Sequence, residues 1–227
     1  MRRSLHLVIV LWLATALAAH ATPVVTEITN FTKNNTQAGT YSGWTGNIPI
    51  GQFTAPTTWA TPFDISANTS GNTVFTPTIN STYTVNIGIA NVTTVYTMLQ
   101  GYNLGALTSS AGSIEFFGSA GATETFALTG EYNIRGLNPG TASALDASVA
   151  QNVWTSSSGS LLDEQMFALS SAFATQTLTD FVVTSNSVSY NVLSGVTVNS
   201  LPLPESSLPA CLALLAVASM GALVRAR

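Results

Sequence analysis

The side chains that most often carry chemistry are few in this chain, and several of them lie near its ends. Both histidines, His6 and His20, fall in the first 20 residues, and the single cysteine, Cys211, falls in the apolar C-terminal run. The body between those ends offers no imidazole and no thiol, so Ser-His-Asp and Cys-His nucleophiles and His-ligated zinc are unavailable to it. Lys33, the only lysine, lacks the Ser-x-x-Lys spacing of a serine nucleophile activated by lysine. Carboxylates remain. Glycoside hydrolysis needs two of them about 5 to 10 Å apart, and the adjacent acids Asp163-Glu164 are the most conspicuous pair. In a strand, neighbouring side chains point to opposite faces, so this pair makes a poor dyad and reads as a solvated strand entrance. Asp146, Asp163, Glu164 and Asp180 could supply hard oxygen ligands to calcium, but no loop shows the alternating Asp/Asn spacing of a calcium motif. No metal and no cofactor is expected, and no catalytic residue is assigned. Glu131 and Arg135, if joined by extended backbone, would share a face and form a structural ion pair.

Glycan contact is the binding chemistry best matched to what is present. Aromatic rings stack on sugars while Asn or Asp bonds their hydroxyls, and the candidates are Trp44, Trp59 and Trp154. The competing role of each is to fill or seal the core, where large aromatics are mostly found.

The elements that position these residues read as strands. Tyr83, Val85, Ile87 and Ile89 alternate with Thr82, Thr84, Asn86 and Gly88, which gives a strand buried on one side; Val188, Tyr190 and Val192 alternate with Ser187, Ser189 and Asn191, continued by Val196 and Val198. Further strands are predicted at 73–79, 92–99, 113–118, 124–129, 165–169 and 178–184. Turns are predicted at Ser70-Gly71-Asn72, Ala111-Gly112, Ala120-Gly121, Asn138-Pro139-Gly140 and Ser158-Gly159. One helix is expected at 142–153, where Leu145, Val149 and Val153 recur at i+4. Residues 22–64, with Trp44 and Trp59, read either as early strands or as a long arm. The expected fold class is all-β, an antiparallel β-sandwich or jelly roll over 22–200, flanked by an N-terminal signal helix and a C-terminal hydrophobic helix.

Both ends read as addresses. Arg2 and Arg3, an apolar stretch from Leu5 to Leu17 and the small-x-small pattern Ala19-His20-Ala21 describe a secretory signal peptide over 1–21, which implies the secretion machinery and signal peptidase as partners. Residues 201–207 form a Pro/Ser linker. Leu208 to Val224 is almost wholly apolar and as a helix would reach roughly 25 Å. Arg225 and Arg227 follow as a membrane stop on the cytoplasmic side. Between the ends stand two cations, Lys33 and Arg135, against nine acids, a net charge of −7. Nucleic acid is excluded as a partner, because phosphate neutralisation needs clustered Lys and Arg.

The tail as a whole, Pro204-Glu205-Ser206 followed by a hydrophobic run and terminal arginines, resembles the PEP-CTERM sorting signal of Gram-negative bacteria that make exopolysaccharide. The usual tripeptide is Pro-Glu-Pro, and Ser206 stands at its last position. The resemblance implies recognition and cleavage near the membrane by an exosortase-like protease, then release or attachment of the body at the cell surface, in contact with extracellular polysaccharide. Segments 112–118, 131–135 and 162–169 also look like uncharacterised secreted bacterial proteins with β-sandwich bodies. Five Asn-x-Ser/Thr sequons, at Asn30, Asn34, Asn68, Asn80 and Asn91, would suit a eukaryotic lipid-anchored glycoprotein, but a glycolipid-anchor signal ends in its apolar tail and not in Arg225-Ala226-Arg227. The expected function is therefore a non-catalytic surface or matrix protein with weak glycan affinity. A carboxylate-dependent polysaccharide hydrolase or lyase is the alternative from the enzyme class.

Overall fold

Short runs of Thr, Val, Ile, Tyr and Phe cannot hide their apolar face as isolated strands, so they pair and stack. The computed structural model describes residues 24–27, 37–38, 49, 51–65, 75–76, 80–102, 104, 110–136, 145–157, 159–186 and 190–202. Residues 23–201 form one compact unit. Its strands are β1 (Val24–Glu27), β2 (Gln37–Ala38), β3 (Gly51–Thr54), β4 (Pro62–Ile65), β5 (Phe75–Thr76), β6 (Thr82–Ala90), β7 (Val92–Tyr102), β8 (Ser110–Gly118), β9 (Thr123–Thr129), β10 (Ala150–Thr155), β11 (Leu161–Ala168), β12 (Thr177–Ser185) and β13 (Tyr190–Ser200). A single 3-10 turn, Phe173–Thr175, is the helical element among the described residues.

The larger sheet runs β10-β11-β7-β13-β5-β2, with β1 also pairing β13; the second runs β6-β12-β8-β9; β3 and β4 form a hairpin. All these ladders are antiparallel. One core draws on both large sheets, with Val95, Leu99, Phe167, Val196 and Val198 from the first and Val85, Ile114, Phe116, Leu128 and Phe181 from the second. Phe116 is its centre. Its ring lies 5.5 Å from Phe181, 5.7 Å from Phe167 and 5.8 Å from Phe126, in tilted and edge-on arrangements that suit aromatic quadrupoles. A second core lies on the other face of the larger sheet, where Phe63, Ile65 and Phe53 of the hairpin meet Met98, Leu162, Val192 and Trp154.

This double burial explains where the sequence reading and the structure part. Tyr83 and Val85 are buried while Thr82, Asn86 and Gly88 are exposed, as the alternation of β6 requires. In β13, by contrast, Asn191 and Val192 are both fully buried, because the strand is covered on both faces. The helix expected over 142–153 is not formed in its described part: 147–149 is a turn and 150–153 belongs to β10. Of the i+4 repeat, Val149 lies in the turn, and Val153 is buried against the second core as a strand residue. Ala111-Gly112 is not a turn but a bulge inside β8, with Gly112 at φ +124. A Cβ on Gly112 would lie 1.8 Å from the Thr184 carbonyl oxygen. Ala120-Gly121 and Gly159 do lie in turns. The turns at 70–72 and 138–140 fall outside the described residues, as do both terminal helices. Among the described residues no helix is long and apolar enough to cross a membrane.

Candidate functional site

The β3–β4 loop, Ala55 to Thr61, folds over the start of β10 and leaves an open groove of about 530 Å³ bordered by Thr57, Thr58, Arg135, Leu145, Gln151 and Asn152. The loop is tied to β10 by side chains. Gln151 accepts from the Thr58 N–H at 2.9 Å and donates to the Thr58 hydroxyl at 2.6 Å and the Ala147 carbonyl at 3.0 Å. A bulge in β10 between Asn152 and Trp154 opens the strand here and turns Asn152 toward its neighbour β11. The Asn152 amide then donates to the Leu162 carbonyl at 3.2 Å and to Asp163 at 3.1 Å.

Behind this groove the two adjacent acids separate as strand geometry demands, but neither is solvated. Asp163 and Glu164 are both fully buried, so the expected solvated strand entrance is corrected. The cause is that β11 is an interior strand, flanked by β10 and β7 and covered on both faces. Asp163 faces Arg135, whose Nε donates to Oδ2 at 2.6 Å and Nη2 to Oδ1 at 2.5 Å. This is a bidentate pair, the arrangement that best offsets the desolvation of two charges. Glu164 faces the hairpin, where its Oε2 accepts from the Thr57 hydroxyl at 2.6 Å. Burial pushes the Glu164 carboxyl above the usual glutamate range, and the Thr57 and Thr61 hydroxyls pull partly back. Burial also raises the Tyr96 phenol, and the nearby Glu164 charge raises it further. Gln165, next along the strand, returns to the Asp163 face and bonds both backbone groups of Leu99.

The pair expected between Glu131 and Arg135 is replaced by Arg135 with Asp163. Residues 131–133 form a turn and Glu131 takes φ +62, so the segment is not extended and the two side chains do not share a face. No local signal in the sequence links Arg135 to a residue 28 positions away, and topology alone brings them together. Of the tryptophans, Trp59 is half-buried at the hairpin tip with its ring 5.9 Å from Tyr96, and Trp154 is half-buried against the second core. Neither borders the groove, whose lining is polar and aliphatic. Trp44, Pro204, Glu205, Ser206, Arg225 and Arg227 lie outside the described residues. Among the described residues no three His, Cys, Asp or Glu side chains gather in one place. Asp146 instead caps its own turn, accepting from the N–H and hydroxyl of Ser148, which lowers its pKa.

Chemically, Asp163 is occupied by three donors, while Glu164 accepts from Thr57 at Oε2 and its buried Oε1 has no hydrogen-bond partner among the described residues. The groove therefore presents amides, hydroxyls and one neutralised guanidinium, groups suited to hydrogen-bonding a hydroxylated ligand. No protein-family model matches the chain, and no curated protein matches it.

Proposed function

We propose that this chain is an exported, non-catalytic surface or extracellular-matrix protein, processed through a PEP-CTERM-type tail by an exosortase-like protease. Its body is a two-sheet β-sandwich of the jelly-roll kind. The observation that carries this reading is the layout of the sequence: a signal-like segment at 1–21, a Pro204-Glu205-Ser206 tripeptide, an apolar run and Arg225 and Arg227. The site geometry supports the non-catalytic part, since the most conspicuous acid pair is split between two faces, with Asp163 held by Arg135 and Glu164 bonded to Thr57 through one oxygen. Weak glycan retention is assigned to the groove residues Thr58, Gln151 and Asn152, with the half-buried Trp59 and Trp154 outside the groove's lining.

Surface biotinylation with cell fractionation, on the full chain and on a chain ending at Leu201, tests the sorting claim. The full chain is expected in the envelope or medium and the truncated chain in the periplasm. Identical distribution of the two would overturn it.

A further inference from the structure

A sheet edge exposes unpaired backbone groups, and folded proteins usually blunt such edges. Of the outer strands of the two large sheets, β10, β2 and β9 carry such devices, and β1, which pairs only β13, is four residues long. β2 is two residues long. β10 is bulged and strapped to the β3–β4 loop through Gln151 and Thr58. At the C-terminal half of β9 the Asn133 amide takes the place of a neighbouring strand, donating to the Ala127 carbonyl and accepting from the Thr129 N–H, both at 2.9 Å.

β6 has no such device among the described residues. It pairs only β12 there, and from Ile65 to Ile114 the chain contains no Asp, Glu, Lys or Arg. Ser185 donates its N–H to the Ser81 carbonyl. Because the hydrogen-bonding direction alternates along an antiparallel strand, Ser81, Tyr83 and Val85 address β12, while Thr82, Thr84 and Asn86 aim their N–H and C=O groups at the open side. The bulge at Ile87 and Gly88, with Gly88 at φ +72, ends this regular stretch.

We propose that two copies of this chain associate through β6, antiparallel and two-fold symmetric about Thr84, joining their four-stranded sheets into one. In that register Thr84 meets its own copy, Thr82 meets Asn86 and Tyr83 meets Val85. The hydrogen-bonded pairs are Thr84 with its copy and Thr82 with Asn86 on either side of the axis, three pairs that each exchange two bonds, about six hydrogen bonds in all. The residue pairing is self-complementary: hydroxyls and an amide meet on the outer face, and an aromatic meets a β-branched residue on the core side. A charged edge would repel its copy in a body of net charge −7, and this edge carries none. Ile87 and Ile89, half-buried at the rim of the core, gain cover. A five-residue pairing buries less than the roughly 800 Å² per partner of a standard interface. The contact is therefore weak in dilute solution and effective where copies are held together on a surface. It stands independently of the export reading.

Cysteine crosslinking of the purified full chain in mild detergent tests it, using T84C and, as reference, T125C on the exposed face of β9, both carried with C211S. A short bis-maleimide is expected to trap a T84C homodimer, and the added exposed-edge charge of N86K is expected to abolish it. Equal crosslinking of T84C and T125C would mean association through the tail alone and would overturn the proposal. So would T84C dimers that persist with N86K, or mixed T84C–T125C adducts in place of the homodimer. Matching circular dichroism of the variants establishes that the fold is retained.

Discussion

Asp163 carries its carboxylate where water does not reach, and Arg135 is what makes this tolerable. Removing one partner of a buried pair costs more than removing both, because the remaining charge is left desolvated. R135M is accordingly expected to lose about 3 to 5 kcal/mol in urea unfolding, and R135M/D163L is expected to lose clearly less than R135M. A double variant as unstable as the single would mean that the pair does not govern Asp163. Glu164 behaves in the opposite sense. Its folded pKa is raised by burial, so the folded state holds the proton more tightly than the unfolded chain. The resulting penalty is absent below the ordinary glutamate range, about pH 4, sets in as pH rises through that value and is constant above the raised one. E164Q keeps an acceptor for Thr57 without the charge. It is expected to raise Tm relative to the native chain at neutral pH, with the gap closing as pH falls into the acid range.

Elements here depend on side chains that replace missing strand partners. The ladder between β11 and β7 ends at Glu164 and Met98, and beyond it the Gln165 amide pairs both backbone groups of Leu99 while accepting from the Thr97 hydroxyl at 3.0 Å. Q165L would leave a buried N–H and C=O unpaired, a loss of about 2 to 4 kcal/mol at the usual cost per orphaned group. Chemical denaturation reads this directly. Gly112 is constrained more sharply, since a methyl there meets the Thr184 backbone in a region of φ that L-residues rarely adopt. G112A is expected to yield little folded protein, judged by circular dichroism and soluble expression. These elements also mark what the sequence could and could not reveal. β6, β8, β9 and β12 are legible because one face is apolar and the other polar, so period-2 alternation survives. The start of β11, with Asp163 and Glu164 among its buried residues, reads as polar surface because its burial depends on partners 28 and 107 residues away. β10 offered an i+4 coincidence instead of an alternation because a bulge interrupts its pattern.

At the scale of the molecule, composition foretells the class of fold, since a chain poor in charge and rich in Thr, Val and aromatics builds antiparallel sheets. It does not foretell the groove, which arises where the β3–β4 hairpin closes over the back of the larger sheet and is strapped to β10. Nor does it foretell that Asp163 and Glu164 are structural, because that depends on burial on both sides of β11. The functional account rests on the two ends acting as addresses and the nearly cation-free middle working outside the cell. Intact-mass and terminal-peptide mass spectrometry of the mature protein, recovered from its native host, measures this most directly. The account predicts a chain that begins at Thr22 and ends close to the Pro204-Glu205-Ser206 tripeptide, without His6, His20 or Cys211. A mature polypeptide that retains Met1 through Arg227 would contradict it.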